Sequence, residues 1–169
     1  MKTFIEANCQ SWFVAHTRPR SEKKLVQYCK RGGVDATLPL YRSAHKYRGK
    51  TVVFEKPLFP GYVFLSLREQ QRTAVLESNC VANLLFVTNQ DLFSKQLQEI
   101  LAAIESGLEL HSAPVIDLGA RVKIKHGPLQ GFEGCVEERQ GNSFVLLRLD
   151  FIGRAAAIKM NADDLELVA

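Results

Sequence analysis

Apolar residues recur along this chain in two rhythms, and the switches between them mark out short elements. Ser11-Trp12-Phe13-Val14-Ala15-His16 is an apolar and aromatic run of strand type, ended by Arg18-Pro19-Arg20. Ser21 stands where it can cap a helix through Gln27 to Arg31, with Leu25, Tyr28 and Cys29 on one face and Gly32-Gly33 as the stop. The outward face of that helix carries Lys23, Lys24 and Lys30. Val34 to Tyr41 is apolar around Pro39 and predicts a second strand, at a sheet edge. Arg42 to Lys50 is polar and basic, with Arg48-Gly49-Lys50 as a hairpin tip and Thr51 to Glu55 as the returning strand. Gly61 to Leu67 is almost continuously apolar, which suits a strand buried on both faces.

Helical spacing follows from Gln71 to Ser78, then a strand at Leu84 to Thr88. Leu97, Ile100, Leu101 and Ile104 recur at i, i+3, i+4 and i+7, an amphipathic helix that closes a first domain near Gly107. Leu108 to Asp117 contains His111-Ser112-Ala113-Pro114, has no clean period and reads as a linker. Beyond it Val122 and Ile124 alternate with Arg121, Lys123 and Lys125. Turns then recur at His126-Gly127-Pro128, Gln140-Gly141-Asn142 and Ile152-Gly153-Arg154, the spacing of a small antiparallel barrel of about five strands. The expected organisation is therefore α+β: a first domain over 1–107, a linker over 108–117 and a small β-barrel over 118–169.

Composition narrows this little, but the placement of charge narrows it more. The 169 residues are 46% apolar, enough for one medium core or two small ones. Met1 to Asn8 carries Lys2 and Glu6 and has no signal-peptide pattern, and no stretch reaches membrane-span length, so a cytoplasmic protein is expected. The net charge is +4, yet His16 to Lys56 holds 11 Lys and Arg against 3 Asp and Glu, while Leu118 to Ala169 balances at 7 of each. The first domain is thus the better candidate for touching nucleic acid.

Cys9, Cys29, Cys80 and Cys135 are scattered without a C-x-x-C pair, and read as reduced, mostly buried thiols. His16, His45, His111 and His126 have no metal-ligand spacing, and the phosphate-loop, zinc-protease, nucleophile-elbow and dinucleotide motifs are all missing. The sequence therefore points away from an enzyme and implies no cofactor or metal.

Two segments carry the functional reading. In Pro57-Leu58-Phe59-Pro60-Gly61-Tyr62-Val63-Phe64, Pro60 fixes φ near −65° and Gly61 admits a conformation closed to other residues, so the flanking aromatics point in set directions. Phe59, Tyr62 and Phe64 could equally pack the core. In Gly119 to Val136, Gly127-Pro128 and Gly131 allow a tight turn and Gly134 permits close backbone approach. Together these segments resemble the signatures of the NusG family of transcription elongation factors, in which an N-terminal NGN domain, an antiparallel sheet flanked by helices, is joined to a C-terminal KOW barrel.

The resemblance implies a protein that binds RNA polymerase during elongation and suppresses pausing or termination. It assigns Phe59, Pro60, Tyr62 and Phe64, with His16 and Phe86 beside them, to an apolar depression for the clamp helices of the largest polymerase subunit. In RfaH-type paralogues a helix start corresponding to Arg72 and Thr73 touches the gate loop of the other large subunit; the same residues could be an ordinary helix N-terminus. Arg18, Arg20, Lys23 and Lys24 are either solvated charge or, as in such paralogues, a surface for the non-template DNA strand.

Phe151, Ile152 and Arg154 match the loop through which family KOW domains dock a small-subunit ribosomal protein or the termination factor Rho. Ile152 stands where the family often has Phe, which weakens the Rho expectation. A monomer acting without a membrane partner is expected. The Pro-Leu-Phe-Pro turn and short loops lean towards a specialised paralogue. A housekeeping NusG and a ribosome- or RNA-binding KOW protein are the alternatives. Ala155 to Ala157 and Leu146-Leu147 tolerate helix, but the β-branched, aromatic and Gly-rich remainder of the C-terminal segment favours strands.

Overall fold

The computed structural model describes residues 9–114, 119–139 and 142–168. The N-terminal segment Met1 to Asn8, the end of the expected linker and the Gln140-Gly141 turn lie outside those residues. In chain order the elements are β1 (Ser11–Thr17), α1 (Glu22–Arg31), β2 (Asp35–Thr37), β3 (Leu40–Tyr47), β4 (Lys50–Pro57), β5 (Tyr62–Leu67), α2 (Arg72–Leu76) and β6 (Val81–Phe86). They continue with α3 (Gln90–Glu105), β7 (Leu110–Pro114), β8 (Arg121–Ile124), β9 (Glu133–Arg139), β10 (Asn142–Leu149), β11 (Arg154–Lys159) and β12 (Leu165–Leu167). Among the described residues every strand pairing is antiparallel, and the mixed α+β class expected from the sequence holds.

Two compact units divide the chain: Met1–Leu38 with Phe59–Asp91, and Pro39–Leu58 with Leu92–Ala169. This grouping departs from boundaries at 107 and 118, because the β3–β4 hairpin and nearly all of α3 go with the C-terminal sheet.

The first unit is a four-stranded sheet in the order β2-β5-β1-β6. Side chains alternate across a strand, so Phe13 and Ala15 of β1 share a face with Val63, Leu65 and Leu67 of β5. That face is buried with Leu25 and Cys29 of α1 and Val75 of α2. Val14 and Phe64, on the opposite face, are also fully buried, in accord with a β5 covered on both sides. Ser21 occupies the N-cap position of α1 but makes no side-chain cap bond; its hydroxyl donates to the Pro19 carbonyl instead, at 3.4 Å. The single strand expected over Val34 to Tyr41 is two. Pro39 has no N–H with which to extend a ladder, and its carbonyl accepts from Leu58 N at 2.9 Å, opening the hairpin.

In the second unit β3 and β4 pair without interruption from Leu40↔Pro57 to Tyr47↔Lys50. The tip falls at Arg48-Gly49, with φ of 48° and 79°, the two left-handed residues that a tight hairpin requires. The apolar stripe of α3 buries Phe93, Leu97, Ile100 and Ala103. A six-stranded sheet follows, in the order β12-β8-β9-β10-β11-β7. Its extra strand, β7, corrects the linker expectation. The free edge of β11 captures Leu110 to Pro114, Ala113 is buried opposite Ala155, and His111 sits edge-on to Phe144 with ring centroids 5.0 Å apart. Small side chains on β11 leave the partner little apolar surface to match, so the strand shows no period. Ala155 to Ala157 and Leu146-Leu147 are in strands, not helix. A methyl group on Gly134 would lie 2.5 Å from the Leu146 carbonyl oxygen, which is the close backbone approach expected there.

Candidate functional site

The Phe59–Tyr62 turn is built as its sequence dictates. Tyr62 N donates to the Phe59 carbonyl at 3.2 Å, and Gly61 has φ of 88°, so Pro60 and Gly61 fill the two central positions of a type II turn. Two further bonds fix it to the unit: Thr17 N donates to the Gly61 carbonyl and Gly61 N donates to Glu22 Oε1 at the start of α1, both at 2.9 Å. The turn then delivers Tyr62 opposite His16 in the β1–β5 register. Their rings stack with centroids 5.3 Å apart and an interplanar angle of 25°. His16 and Pro60 are exposed and Tyr62 is half-buried, so the stack is open to solvent on the His16 side.

Three of the residues assigned to this surface by resemblance are elsewhere. Phe59 and Phe64 are 1% and 0% exposed and pack edge-on at 6.3 Å. Of the two roles open to them from the sequence, core packing is the one they fill here. Phe86 is exposed but does not lie beside His16. It pairs with Phe13, three residues from His16, and an odd offset on a strand puts the two on opposite faces. Its ring meets Phe13 edge-on at 5.3 Å, and the Arg72 guanidinium lies 5.7 Å from the centroid of that same ring. The structure thus unites Phe86 with Arg72, whose side chain also pairs with Glu69 at 3.6 Å, and Thr73 is exposed next to it at the start of α2. Leu85, opposite Val14 and 38% exposed, shares the His16 face; register alone could have revealed it.

Arg18, Arg20, Lys23 and Lys24 are all exposed around the entry to α1, with Arg20 held at a left-handed φ of 59°. Two of the four thiols, Cys29 and Cys80, are buried; Cys135 is half-buried and Cys9 exposed. Burial, with the Cys80 thiol adding to it, pushes the Cys29 thiol up to about 11, which makes it a packing group. Among the described residues no cluster of three or more His, Cys, Asp and Glu could hold a metal ion, and no helix is long and apolar enough to cross a membrane.

In the second unit the Phe151-Ile152-Gly153-Arg154 loop is tied down from both sides. Phe151 meets Phe93 of α3 edge-on at 6.3 Å, and Gln96 makes two bonds to Asp150: its Nε2 donates to Oδ2 at 2.8 Å and its Oε1 accepts from the backbone N at 3.1 Å. Arg154 donates to Ser112 Oγ at 2.7 Å. Burial opposes the charge on Asp150, but hydrogen bonds from Gln96 and Arg148 and the Arg148 charge outweigh it, holding the carboxyl below its ordinary value. Phe151 and Ile152 are half-buried.

The family model for transcription termination factor NusG matches residues 10–102. The transcription termination/antitermination protein NusG of Rickettsia felis is 25% identical over 171 residues, covering 92% of this chain and 89% of that one. The protein of the same name from Lactococcus lactis is 25% identical over 178 residues, covering 93% and 92%. A solved MjSpt4:Spt5 complex, in conformation B, aligns with 94% of this chain and 97% of its own at 15% identity, with a TM-score of 0.29, too low to establish a shared arrangement. With more than half of its length inside the family model, including the whole type II turn and the strands that frame it, this chain belongs to the NusG family of transcription termination and antitermination factors.

Proposed function

We propose that this protein binds RNA polymerase in the elongating state and biases it against pausing or termination. The observation that carries the reading is the His16–Tyr62 stack, fixed by the type II turn and set beside the fully buried Val14 and Phe64. A rigid aromatic surface with one hydroxyl at its rim is what a helix-in-groove contact uses. The clamp helices of the largest polymerase subunit would dock there, on His16, Pro60, Tyr62 and Leu85. Phe86, Arg72 and Thr73 form a separate patch suited to the other large subunit. Arg18, Arg20, Lys23 and Lys24 would meet the phosphates of the non-template strand, adding salt-dependent affinity. A protein that binds the closed, productive polymerase better than the paused one shifts the population by that difference alone. The protein would do this as a cytoplasmic monomer, while Phe151, Ile152 and Arg154 engage a small-subunit ribosomal protein or Rho.

The test is co-migration with an assembled elongation complex. Wild type should co-migrate, and a His16→Ala, Tyr62→Ala double variant with an unchanged circular dichroism spectrum should not. Equal retention of both would remove this face from the reading. A housekeeping role is favoured by one observation: the relatives from Rickettsia felis and Lactococcus lactis are termination/antitermination proteins. Tight binding of Rho by the full chain would establish that role, and no binding would leave the specialised one.

A further inference from the structure

The β3–β4 hairpin carries the net charge of the whole protein. Between Leu40 and Pro57 stand five Lys and Arg and one Glu, an excess equal to the +4 of the full sequence, so the other residues balance at 17 of each sign. The hairpin forms a sheet of its own, and its outer positions are open on both faces. Its register sorts those positions. Tyr41, His45 and Tyr47 from β3 share one face with Lys50, Phe54 and Lys56 from β4. On that face Tyr47 is 70% exposed and Phe54 49%.

Around Phe54 the face is also internally bonded. Lys56 Nζ donates to His45 Nε2 at 3.0 Å, and the His45 ring lies 5.9 Å from that of Phe54. Phe54 pairs with Ser43, so it stands two same-face steps from Tyr47 along the ladder, about 13 Å and roughly four times the 3.4 Å rise per nucleotide of a stacked strand. A ligand laid along the ladder is therefore engaged extended, with its bases apart. Exposed rings stack on base faces, and a duplex hides those faces within its own stack. Aromatic rings interleaved with lysines, on an element that concentrates the positive charge, are the chemistry of single-strand recognition.

We propose that this hairpin face is a platform for single-stranded nucleic acid, with bases stacking on Tyr47 and Phe54 and phosphates meeting Lys50 and Lys56. The proposal does not rest on the polymerase reading, since its test uses free oligonucleotides. The full-length protein, carrying Arg18→Gln and Lys24→Gln to silence the other basic cluster, is titrated by fluorescence anisotropy at low salt. The probes are labelled oligothymidylate and oligouridylate of about 12 nucleotides, a length within the range single-strand platforms span. Binding of either strand supports the proposal, and the tighter of the two names the source as DNA or RNA. Tyr47→Ala and Phe54→Ala should each weaken it about tenfold or more, while Tyr47→Phe and Phe54→Tyr restore it. Lys50→Gln should flatten the salt dependence by about 0.7 in log–log slope. Val53→Ala, on the opposite face, should change nothing. The proposal is overturned by no binding at low salt, by equal affinity for a duplex of the same length, or by equal effects of Val53→Ala and Phe54→Ala.

Discussion

Phe54 and Phe64 each follow a valine in an antiparallel strand, yet Phe54 is 49% exposed and Phe64 is fully buried. The difference lies in what surrounds each strand. β5 is an inner strand, paired with β2 and β1, and its alternating faces are both covered. β4 has one partner, β3, and the middle of that ribbon is covered on neither face. One aromatic residue type thus serves as core in the first setting and as contact surface in the second. Removing a ring from β5 opens a cavity, and removing one from β4 exposes only a little more backbone to water.

That contrast can be broken most sharply by truncating both rings. Phe64→Ala should cost about 3 to 5 kcal/mol in urea unfolding, and Phe54→Ala no more than about 0.5. A large cost at Phe54 would mean that the outer face of the hairpin is covered in solution. Thiol chemistry extends the comparison to the core behind β5. With its ionisation pushed up to about 11, Cys29 should react with iodoacetamide about a hundredfold more slowly than an unshifted thiol, from the loss of thiolate alone. Rapid alkylation of Cys29 in the native protein would show that the layer over the sheet opens readily.

The two turns give a smaller effect of the same kind. Gly61→Ala, at φ of 88°, should lower global stability by about 1 to 2 kcal/mol, because its turn positions a buried strand. Gly49→Ala, at φ of 79°, should instead show as lost amide protection confined to β3 and β4, with the urea midpoint nearly unchanged. The smallest effect belongs to Asp150. Its folded carboxyl lies below its ordinary value of 3.8, so its contribution is complete above about that pH and fades as pH falls through the lowered value. Urea midpoints measured from pH 5 downwards should therefore fall slightly less steeply in Asp150→Asn than in wild type.

What could be read ahead of the structure was whatever chemistry confines to neighbouring residues. The Pro60-Gly61 turn, the Arg48-Gly49 tip, the stripe of α3 and the tight approach at Gly134 all follow from local sterics or period. What escaped depended on pairing between distant segments. Phe86 was expected, with His16, beside the Phe59–Phe64 segment, and only the β1–β6 register shows that Phe86 and His16 sit on opposite faces. β7 was hidden because its partner is a run of alanines. The hairpin platform did leave a signal, since Tyr41, Ser43, His45 and Tyr47 alternate with Arg42, Ala44 and Lys46. The segment was expected only as a polar, basic approach to a hairpin tip, because its charges mask the alternation of the rings.

The strand found within the expected linker also sets a leash. Only Ser106 to Glu109 separate the end of α3 from β7, and four residues span at most about 14 Å. While β7 stays paired, the α3 side chains Phe93 and Gln96 face the Asp150–Arg154 loop at the high effective concentration a short tether imposes. An outside ligand for that loop competes against a neighbour that is always present, and its apparent affinity records that competition as much as its own fit.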